Sequence, residues 1–361
     1  MKTIGSYTAV AVQPEIVQVT RREQIRDNLD RAIQLIVGAA GFTASGVKWA
    51  YAPVKLVVFP EFFLQGCTRR AELDDYRREI LITIPGPETD RLAETCIQHS
   101  IFFCGAALEY DPKWNDRFFN TAFIINPEGK LIHKYRKFNT TLHVDLEISP
   151  HDMYDYYLEE YGKDKNILDV FFPVTETEIG NLGTFICMDG HFPETTRALA
   201  LNGAEVLLRP TAWPEPQVSE PIALWKAQNK TRAVENLCYL VAPTIGYCHS
   251  DEKPKTNWPG GAHIFNYQGM LLGESNYPGE GRCSGVINVE ELRKRRLDFG
   301  RNFLPLLRTE VWREMYSKPI YPVNQYLEKS PPHNQTTLIE RAPIKVIEEF
   351  LAKGIFHKPQ D

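Results

Sequence analysis

The sequence lacks long apolar runs and an excess of positive charge. No run of about 18 apolar residues occurs, so we expect no transmembrane helix and no membrane partner. The formal net charge of −5 argues against nucleic acid as a partner, because phosphate binding needs a basic surface. We expect no signal peptide either, because Pro14 and Glu15 interrupt the short apolar stretch near the N-terminus.

Closely spaced cysteines are also missing. The 7 cysteines are far apart and form no C-x-x-C pair, and the H-E-x-x-H pattern is absent. We therefore expect no zinc site and no other metal site. Most of the cysteines lie in apolar segments, as small buried side chains do. An odd number of scattered cysteines indicates a reducing compartment, and we expect a cytoplasmic protein.

Strand-like and helix-like segments alternate in two halves of similar order. In the first half, a helical pattern at 22–39 precedes the buried-strand pattern KLVVFPE, and a helix at 85–99 precedes a hairpin at 120–137. The second half again runs strand, helix, strand, helix, strands. We expect an α/β fold with two sheets packed face to face between helices, a four-layer α-β-β-α sandwich. The span 139–170 shows no period, and we expect a long functional loop there.

The end of the chain differs in composition from the rest. We expect a main domain over 1–318 and a C-terminal extension over 319–361. The extension begins Pro-rich and becomes amphipathic near 344–351, with few apolar partners of its own. We predict that it packs on a neighbouring subunit.

Glu61 is a candidate general base. It ends the apolar pattern KLVVFPE and is followed by Phe62 and Phe63. Apolar surroundings raise the pKa of a carboxyl group toward the range that a general base requires. A glutamate at the end of a strand also commonly reaches solvent, which is the ordinary alternative.

Three cations lie at the end of the hairpin, at Lys134, Arg136 and Lys137. A solvated strand face is the usual explanation of such a group. Strand alternation, however, places Tyr135 and Lys137 on one face and Lys134 and Arg136 on the other. If Tyr135 packs inward, Lys137 also points inward.

Cys187 ends the strand pattern LGTFIC, and a helix begins within about five residues, a strand–turn–helix layout that holds a nucleophile on a sharp bend. A helix N-terminus and a nearby lysine both favour the thiolate. We expect Gly190 to permit an unusual backbone angle in the turn. A buried strand cysteine is the alternative, but it does not explain the neighbouring Asp189, His191 and Glu194.

In this order, Glu61 in VFPEF, Lys137 in KYRKF and Cys187 in ICMDGHFPE resemble the motifs of the nitrilase superfamily of carbon–nitrogen hydrolases. The resemblance extends from about Thr8 to about Glu291. It implies the α-β-β-α sandwich and a Glu-Lys-Cys triad at these three positions. CMDGHFPE with NGAEVLLRP is most similar to the aliphatic amidase and formamidase branch, and PETTRALALNGAE is also similar to carbamoyl-amino-acid hydrolases.

The resemblance implies an amidase that acts through a cysteine thioester, without metal or organic cofactor. An N-carbamoyl-type amidohydrolase and a nitrilase with the same triad are alternatives. Carbamoyl-amino-acid hydrolases typically have arginines just after the cysteine turn, where this chain has Gly190 and His191, which argues against a carboxylate-bearing substrate. Family members commonly pair, so we expect a homodimer or higher homo-oligomer that acts on a small amide-like substrate.

Many family members have a second glutamate between the lysine and the cysteine. The amidase spacing points to Asp145, whereas the carbamoylase spacing points to Glu159 or Glu160. We favour Glu159 as the fourth catalytic residue.

Three further residues are candidates for contact with the substrate. The N–H of Met188, the residue after the nucleophile, is the expected oxyanion donor beside the lysine. Trp213 ends the following strand, which borders the active site in this family, although a packed core aromatic is an equal alternative. His191 lies in the turn, where a surface histidine is the simpler explanation.

Overall fold

The computed structural model describes residues 3–41, 52–67, 73–141, 147–213, 223–249, 258–331 and 342–359. Within these ranges, no helix is both long enough and apolar enough to cross a membrane. The strands are β1 (Tyr7–Gln13), β2 (Glu15–Val17), β3 (Val54–Glu61), β4 (Phe102–Glu109), β5 (Phe119–Ile125), β6 (Leu131–Arg136), β7 (Val174–Thr175), β8 (Leu182–Thr184), β9 (Val206–Leu208), β10 (Tyr239–Ala242), β11 (Tyr247–His249), β12 (Ala262–Phe265), β13 (Leu271–Ser275) and β14 (Gly281–Ile287). The α-helices are α1 (Glu23–Gly41), α2 (Leu73–Glu79), α3 (Pro87–His99), α4 (Tyr154–Tyr161), α5 (Ile167–Phe171), α6 (Pro193–Leu201), α7 (Leu224–Asn236), α8 (Val289–Leu297), α9 (Thr309–Met315) and α10 (Pro343–Ala352).

Most of these strands form two 6-stranded sheets of similar design, in the orders β14-β1-β3-β4-β5-β6 and β13-β12-β10-β9-β8-β7, and β2 pairs separately with β11. In the first sheet, β1, β3 and β4 run parallel, and the β5–β6 hairpin completes one side. In the second sheet, β8, β9 and β10 run parallel. Parallel neighbours align their carboxyl ends, so residues that follow these strands gather at one edge of each sheet.

Alternate residues of each strand face the opposite sheet. Leu56 and Val58 of β3 lie in one buried cluster with Val206 and Leu208 of β9. The intervening Val57 packs in a second cluster with residues of α1 and α3. A third cluster joins the outer face of the second sheet to α6 and α7. The layers are therefore helix, sheet, sheet and helix, and the expected α-β-β-α sandwich is confirmed.

The span 139–170 contains more helix than we predicted from the sequence. A 3-10 turn at Pro150–Met153 leads into α4, and α5 follows. Tyr157 of α4 stacks on Phe171 with the ring centroids 5.6 Å apart. The sequence hides this helix because YDYYLEEY is short and aromatic residues are only moderate helix formers.

The C-terminal extension contacts the main body of its own chain. The N–H of Tyr326 donates to the carbonyl of Asp152 at 2.8 Å, and its carbonyl accepts from Arg117 at 2.9 Å. Just before the extension, Phe299 and Phe303 are 91% and 75% exposed. Packing of the extension on a neighbouring subunit, like the boundary at residue 318, stays a prediction.

A buried histidine connects the two sheets. His133 of β6 bonds through Nδ1 to the hydroxyl of Thr175 on β7 at 2.9 Å and through Nε2 to that of Thr184 on β8 at 2.8 Å. Burial lowers the pKa of His133 to about 4. The ring is therefore neutral in the folded protein near neutral pH.

We predict that the contribution of His133 to the free energy of unfolding falls as the pH is lowered from about 6.5 toward 4, against an opposite contribution from Asp152, whose pKa burial raises to about 6. In that window the histidine of the unfolded chain binds a proton that folded His133 does not. One such site changes the free energy of unfolding by up to about 1.4 kcal/mol per pH unit. Urea unfolding from pH 7 to pH 4.5 measures this slope. His133→Gln should show a shallower slope, and His263, whose pKa burial lowers to about 3, is present in both proteins. Equal slopes would contradict the assignment to His133.

Candidate active site

Glu61 ends β3 inside the molecule, with its side chain only 1% exposed. Its Oε2 accepts the N–H of Ala212 at 3.0 Å, and its Oε1 accepts from Asn120 Nδ2 at 2.6 Å. The pairing of β3 with β4 shifts register between Val58 and Glu61, an irregularity that re-aims a side chain at the end of a strand. The glutamate is thus held as a buried hydrogen-bond acceptor.

Lys137 follows β6 and is also 1% exposed. Its Nζ lies 2.9 Å from Glu61 Oε1 and 3.5 Å from Glu147 Oε1. Asn120 donates to the same oxygen of Glu147 at 3.0 Å. A buried ammonium is costly without such partners, so the two carboxylates stabilise Lys137 in its charged form.

The hairpin directs its cations to opposite faces, as strand alternation predicted. The hydroxyl of Tyr135 donates to Asp189 of the second half at 2.7 Å, on the face shared with Lys137. On the other face, Lys134 donates to the carbonyl of Ile84 at 2.8 Å and pairs with Glu109. Strand register therefore distinguishes Lys137 from its neighbour Lys134.

Cys187 begins a 3-10 turn, Cys187–His191, between β8 and α6. Its φ of 41° lies in the left-handed region, which is strained for a residue with a side chain. The N–H of Cys187 donates to the carbonyl of Pro210 at 3.0 Å, and its Sγ lies 3.9 Å from the carbonyl of Ala212. Since Ala212 also donates to Glu61, one backbone residue contacts both the thiol and the carboxylate.

Asp189 ties this turn to the segment that carries the lysine. It is fully buried and accepts from Tyr135, from the N–H of Asn139 at 2.7 Å and from the N–H of Ile186 at 2.8 Å. Burial raises the pKa of Asp189, while these donors oppose the rise. The carboxylate thereby fixes the turn relative to the end of β6.

The glycine in the turn has a different role from the one we predicted. Gly190 does not have a positive φ, whereas Cys187 does. A Cβ on Gly190 would lie 2.0 Å from Cζ of Arg209, a buried side chain that approaches the turn from the end of β9. Glycine is required here because a guanidinium occupies the space of a side chain.

The structure gathers the other predicted contact residues around the same turn. Trp213 is 3% exposed, and its ring centroid lies 5.0 Å from that of His191. Nδ1 of His191 lies 3.1 Å from Gln228 Nε2, and burial lowers the pKa of the histidine. Met188 is half-buried directly after Cys187.

The structure does not bring Glu159 to this cluster. Glu159 and Glu160 both lie on the exposed side of α4, whose buried side chain is Tyr157. The carboxylate of Glu147 instead contacts Lys137. An exposed glutamate on the surface of a helix cannot compensate a buried ammonium, so we correct the expectation for Glu159.

Sequence reasoning missed Glu147, Asn120 and Arg209. Asn120 was detectable in principle, because the hairpin register pairs its carbonyl with the N–H of Lys137 at 2.8 Å. Glu147 lies in a part of the sequence without periodicity. Asp145, the alternative second acid, lies outside the described residues. No cluster of His, Cys, Asp and Glu in the described part of the chain is arranged to hold a metal ion.

We predict that Gly190→Ala destabilises the protein because its methyl group would overlap the Arg209 guanidinium. Overpacking of this kind typically costs about 1–3 kcal/mol. Urea unfolding of the variant measures the loss. Gly5→Ala is the control, since a Cβ there meets nothing within 4 Å. If the two variants were equally stable, the contact between residues 190 and 209 would be incorrect.

Comparison with known proteins identifies the family. Residues 8–296 match the family model described as carbon-nitrogen hydrolase. A formamidase of Bacillus cereus (strain B4264) is 33% identical over 249 residues, 68% of this chain and 65% of the relative. A formamidase of Bacillus thuringiensis (strain Al Hakam) is 32% identical over the same shares. The match thus spans slightly less than two thirds of the length of these formamidases.

Solved structures share the fold at low sequence identity. Saccharomyces cerevisiae Nit3, a member of branch 10 of the nitrilase superfamily, superposes with a TM-score of 0.62 at 22% identity, covering 81% of this chain and 94% of that one. A carbon-nitrogen hydrolase from Helicobacter pylori G27 gives 0.64 at 17% identity, covering 87% and 99%. The predicted resemblance is confirmed: the chain belongs to the carbon-nitrogen hydrolase family.

Proposed function

We propose that the protein hydrolyses small amides through a thioester at Cys187. The proposal rests on one observation: Ala212 contacts both the Cys187 thiol and the Glu61 carboxylate, while Lys137 contacts that same carboxylate. A nucleophile, a base and a cation are thereby available around one small volume. Acyl transfer requires these three roles.

In the first half of the reaction, Glu61 accepts the thiol proton as the Cys187 sulfur forms a bond to the amide carbon. The developing oxyanion is stabilised by the Lys137 ammonium and the N–H of Met188. Collapse of this intermediate breaks the carbon–nitrogen bond. Glu61 returns its proton to the leaving nitrogen, and ammonia or an amine departs.

In the second half, water replaces the leaving group. Glu61 accepts a proton from water as its oxygen attacks the thioester carbon, and the carbon–sulfur bond breaks. Glu61 returns this proton to the departing sulfur, which regenerates the thiol, and the acid product ionises to a carboxylate. Lys137 has to remain charged through both halves, because it compensates an oxyanion each time.

Glu147 is the second acid in this proposal, in place of Glu159. Its carboxylate contacts the Lys137 ammonium on one side and shares the amide of Asn120 with Glu61. When Glu61 becomes protonated during attack, Glu147 remains as the anionic partner of Lys137. The lysine is then never left as a buried cation without a counter-charge.

A small uncharged amide is the preferred substrate class. The relatives of about one third identity are formamidases, which supports a small acyl group. Gly190 and His191 stand at the positions just after the cysteine where carbamoyl-amino-acid hydrolases typically have arginines. This argues against an N-carbamoyl amino acid, whose carboxylate would need a cation.

A substrate panel tests the proposal. The purified protein is incubated with formamide, acetamide, propionamide, an N-carbamoyl amino acid and an aliphatic nitrile, and ammonia and carboxylate are measured. We expect equal amounts of both products from a simple amide and none with Cys187→Ala. Ammonia from the nitrile or the carbamoyl compound alone would favour the alternatives, and activity retained in Cys187→Ala would exclude the mechanism.

The two candidate acids give a matched pair of variants. Glu147→Gln should lower kcat by at least about 10²-fold, because Lys137 loses one of its charged partners and the oxyanion side is disturbed. Glu159→Gln changes the same functional group on the exposed side of α4 and should retain activity within about twofold. Steady-state kinetics with the best amide of the panel decides between them. The reverse order would restore Glu159 as the second acid.

A further inference from the structure

Arg209 follows β9 and is fully buried. Its Nε and Nη2 both donate to the carbonyl of Cys187, at 3.2 and 2.6 Å. Nη1 donates to Asn229 at 2.6 Å, and Nη2 also donates to Gln228 at 3.2 Å. All three nitrogens of the guanidinium therefore have partners, and two of them hold the backbone of the candidate nucleophile.

No carboxylate in the part of the chain that the structure describes forms an ion pair with Arg209. The guanidinium lies instead among aromatic rings, with Cζ 4.8 Å from the ring centroid of Trp225 and 5.3 Å from that of Trp213. Burial lowers the pKa of Arg209 to about 9, and the charges of Cys187 and Asp189 oppose this shift. Cation–π contacts offset only part of the cost of burying a cation.

A second buried arginine shows the usual arrangement. Arg136, on the outer face of the first sheet, pairs with Glu109 at 3.0 Å and also with Asp111. Two carboxylates there compensate this guanidinium together with the ammonium of Lys134. Arg209 lacks this compensation and points at a reactive residue, so stability alone does not account for it.

The backbone that Arg209 holds is strained. Cys187 has a left-handed φ of 41°, and its N–H is held by the carbonyl of Pro210, the residue after Arg209. Neighbouring residues of one segment therefore hold the backbone of Cys187 on both sides. These hydrogen bonds keep a non-glycine residue in a backbone conformation that it would otherwise leave.

We propose that Arg209 is a positioning residue that fixes the strained backbone of Cys187 through its carbonyl and whose positive charge favours the thiolate. The second part rests on the proposed function of Cys187, and the first does not. Among the described residues, the other charged and titratable groups around the turn include Glu61 at the end of β3, Tyr135 and Lys137 at the end of β6, Asp189 and His191 in the turn itself, and Arg232 of α7. All of these remain when Arg209 alone is changed.

The test uses the pH dependence of alkylation, which needs no substrate. Iodoacetamide labelling of the full-length protein is followed by peptide mapping, because Cys67 is also partly exposed. With Arg209→Gln, which removes the charge, the midpoint of Cys187 labelling should move to higher pH by about one unit or more. Arg209→Lys, which keeps the charge but not the forked donors, should move it by less than half as much.

Arg232→Gln is the matched control. Arg232 donates to the carbonyl of Gly190 in the same turn at 3.1 Å, but Glu235 compensates its charge. Its loss should therefore leave the labelling midpoint unchanged.

Steady-state kinetics with the preferred amide give a second measurement. Arg209→Lys should lower kcat by about tenfold or more while KM changes by less than about threefold, since the nucleophile is misplaced and substrate contacts remain. Circular dichroism confirms that each variant is folded.

The outcomes separate this inference from the proposed function. A labelling midpoint in folded Arg209→Gln equal to that of the unmodified protein overturns the inference. If that variant does not fold, Arg209→Lys decides, and an unchanged kcat overturns the positioning role. A shifted midpoint in a protein that hydrolyses no compound of the panel supports the inference while the proposed function fails.

Discussion

A lysine ammonium buried between two carboxylates is the interaction on which the rest of this site depends. Lys137 is removed from water with Glu61 and Glu147, and Asn120 donates to both carboxylates. Removing one partner from such a cluster leaves a charge that the interior cannot solvate. The three side chains have to arrive together, so the fold must bring the ends of β3 and β6 and the segment at Glu147 to one place.

The sandwich meets this requirement because the segments that follow strands of the two sheets contact each other at one edge. The first sheet contributes Glu61 and Lys137, and the second contributes the turn after β8 and the segment after β9. Ala212 and Pro210 in that segment bond to Glu61 and Cys187 through backbone atoms. Backbone contacts do not rotate as side chains do, so the relative placement of thiol and carboxylate is determined by how the sheets pack.

Much of this arrangement was predictable from short sequence patterns. The apolar runs and their spacing predicted the layers, and strand alternation separated Lys137 from Lys134, as the structure shows. Glu147 was not predictable in this way, because it follows an aperiodic stretch in which no pattern distinguishes one acid from another. Arg209 was hidden for another reason: at the end of an apolar strand, an arginine ordinarily indicates the surface, and only the packing of β9 against the turn shows its burial.

The contact between Gly190 and Arg209 links the residue type at position 190 to the way the backbone of Cys187 is held. A side chain at position 190 and the guanidinium of Arg209 cannot occupy the same volume, since a Cβ would lie 2.0 Å from Cζ. While Arg209 donates to the carbonyl of Cys187, the same turn therefore cannot carry an arginine side chain at position 190. Any side chain at position 190 therefore requires Arg209 to leave the carbonyl of Cys187, and the backbone of Cys187 would then need another hydrogen-bond donor.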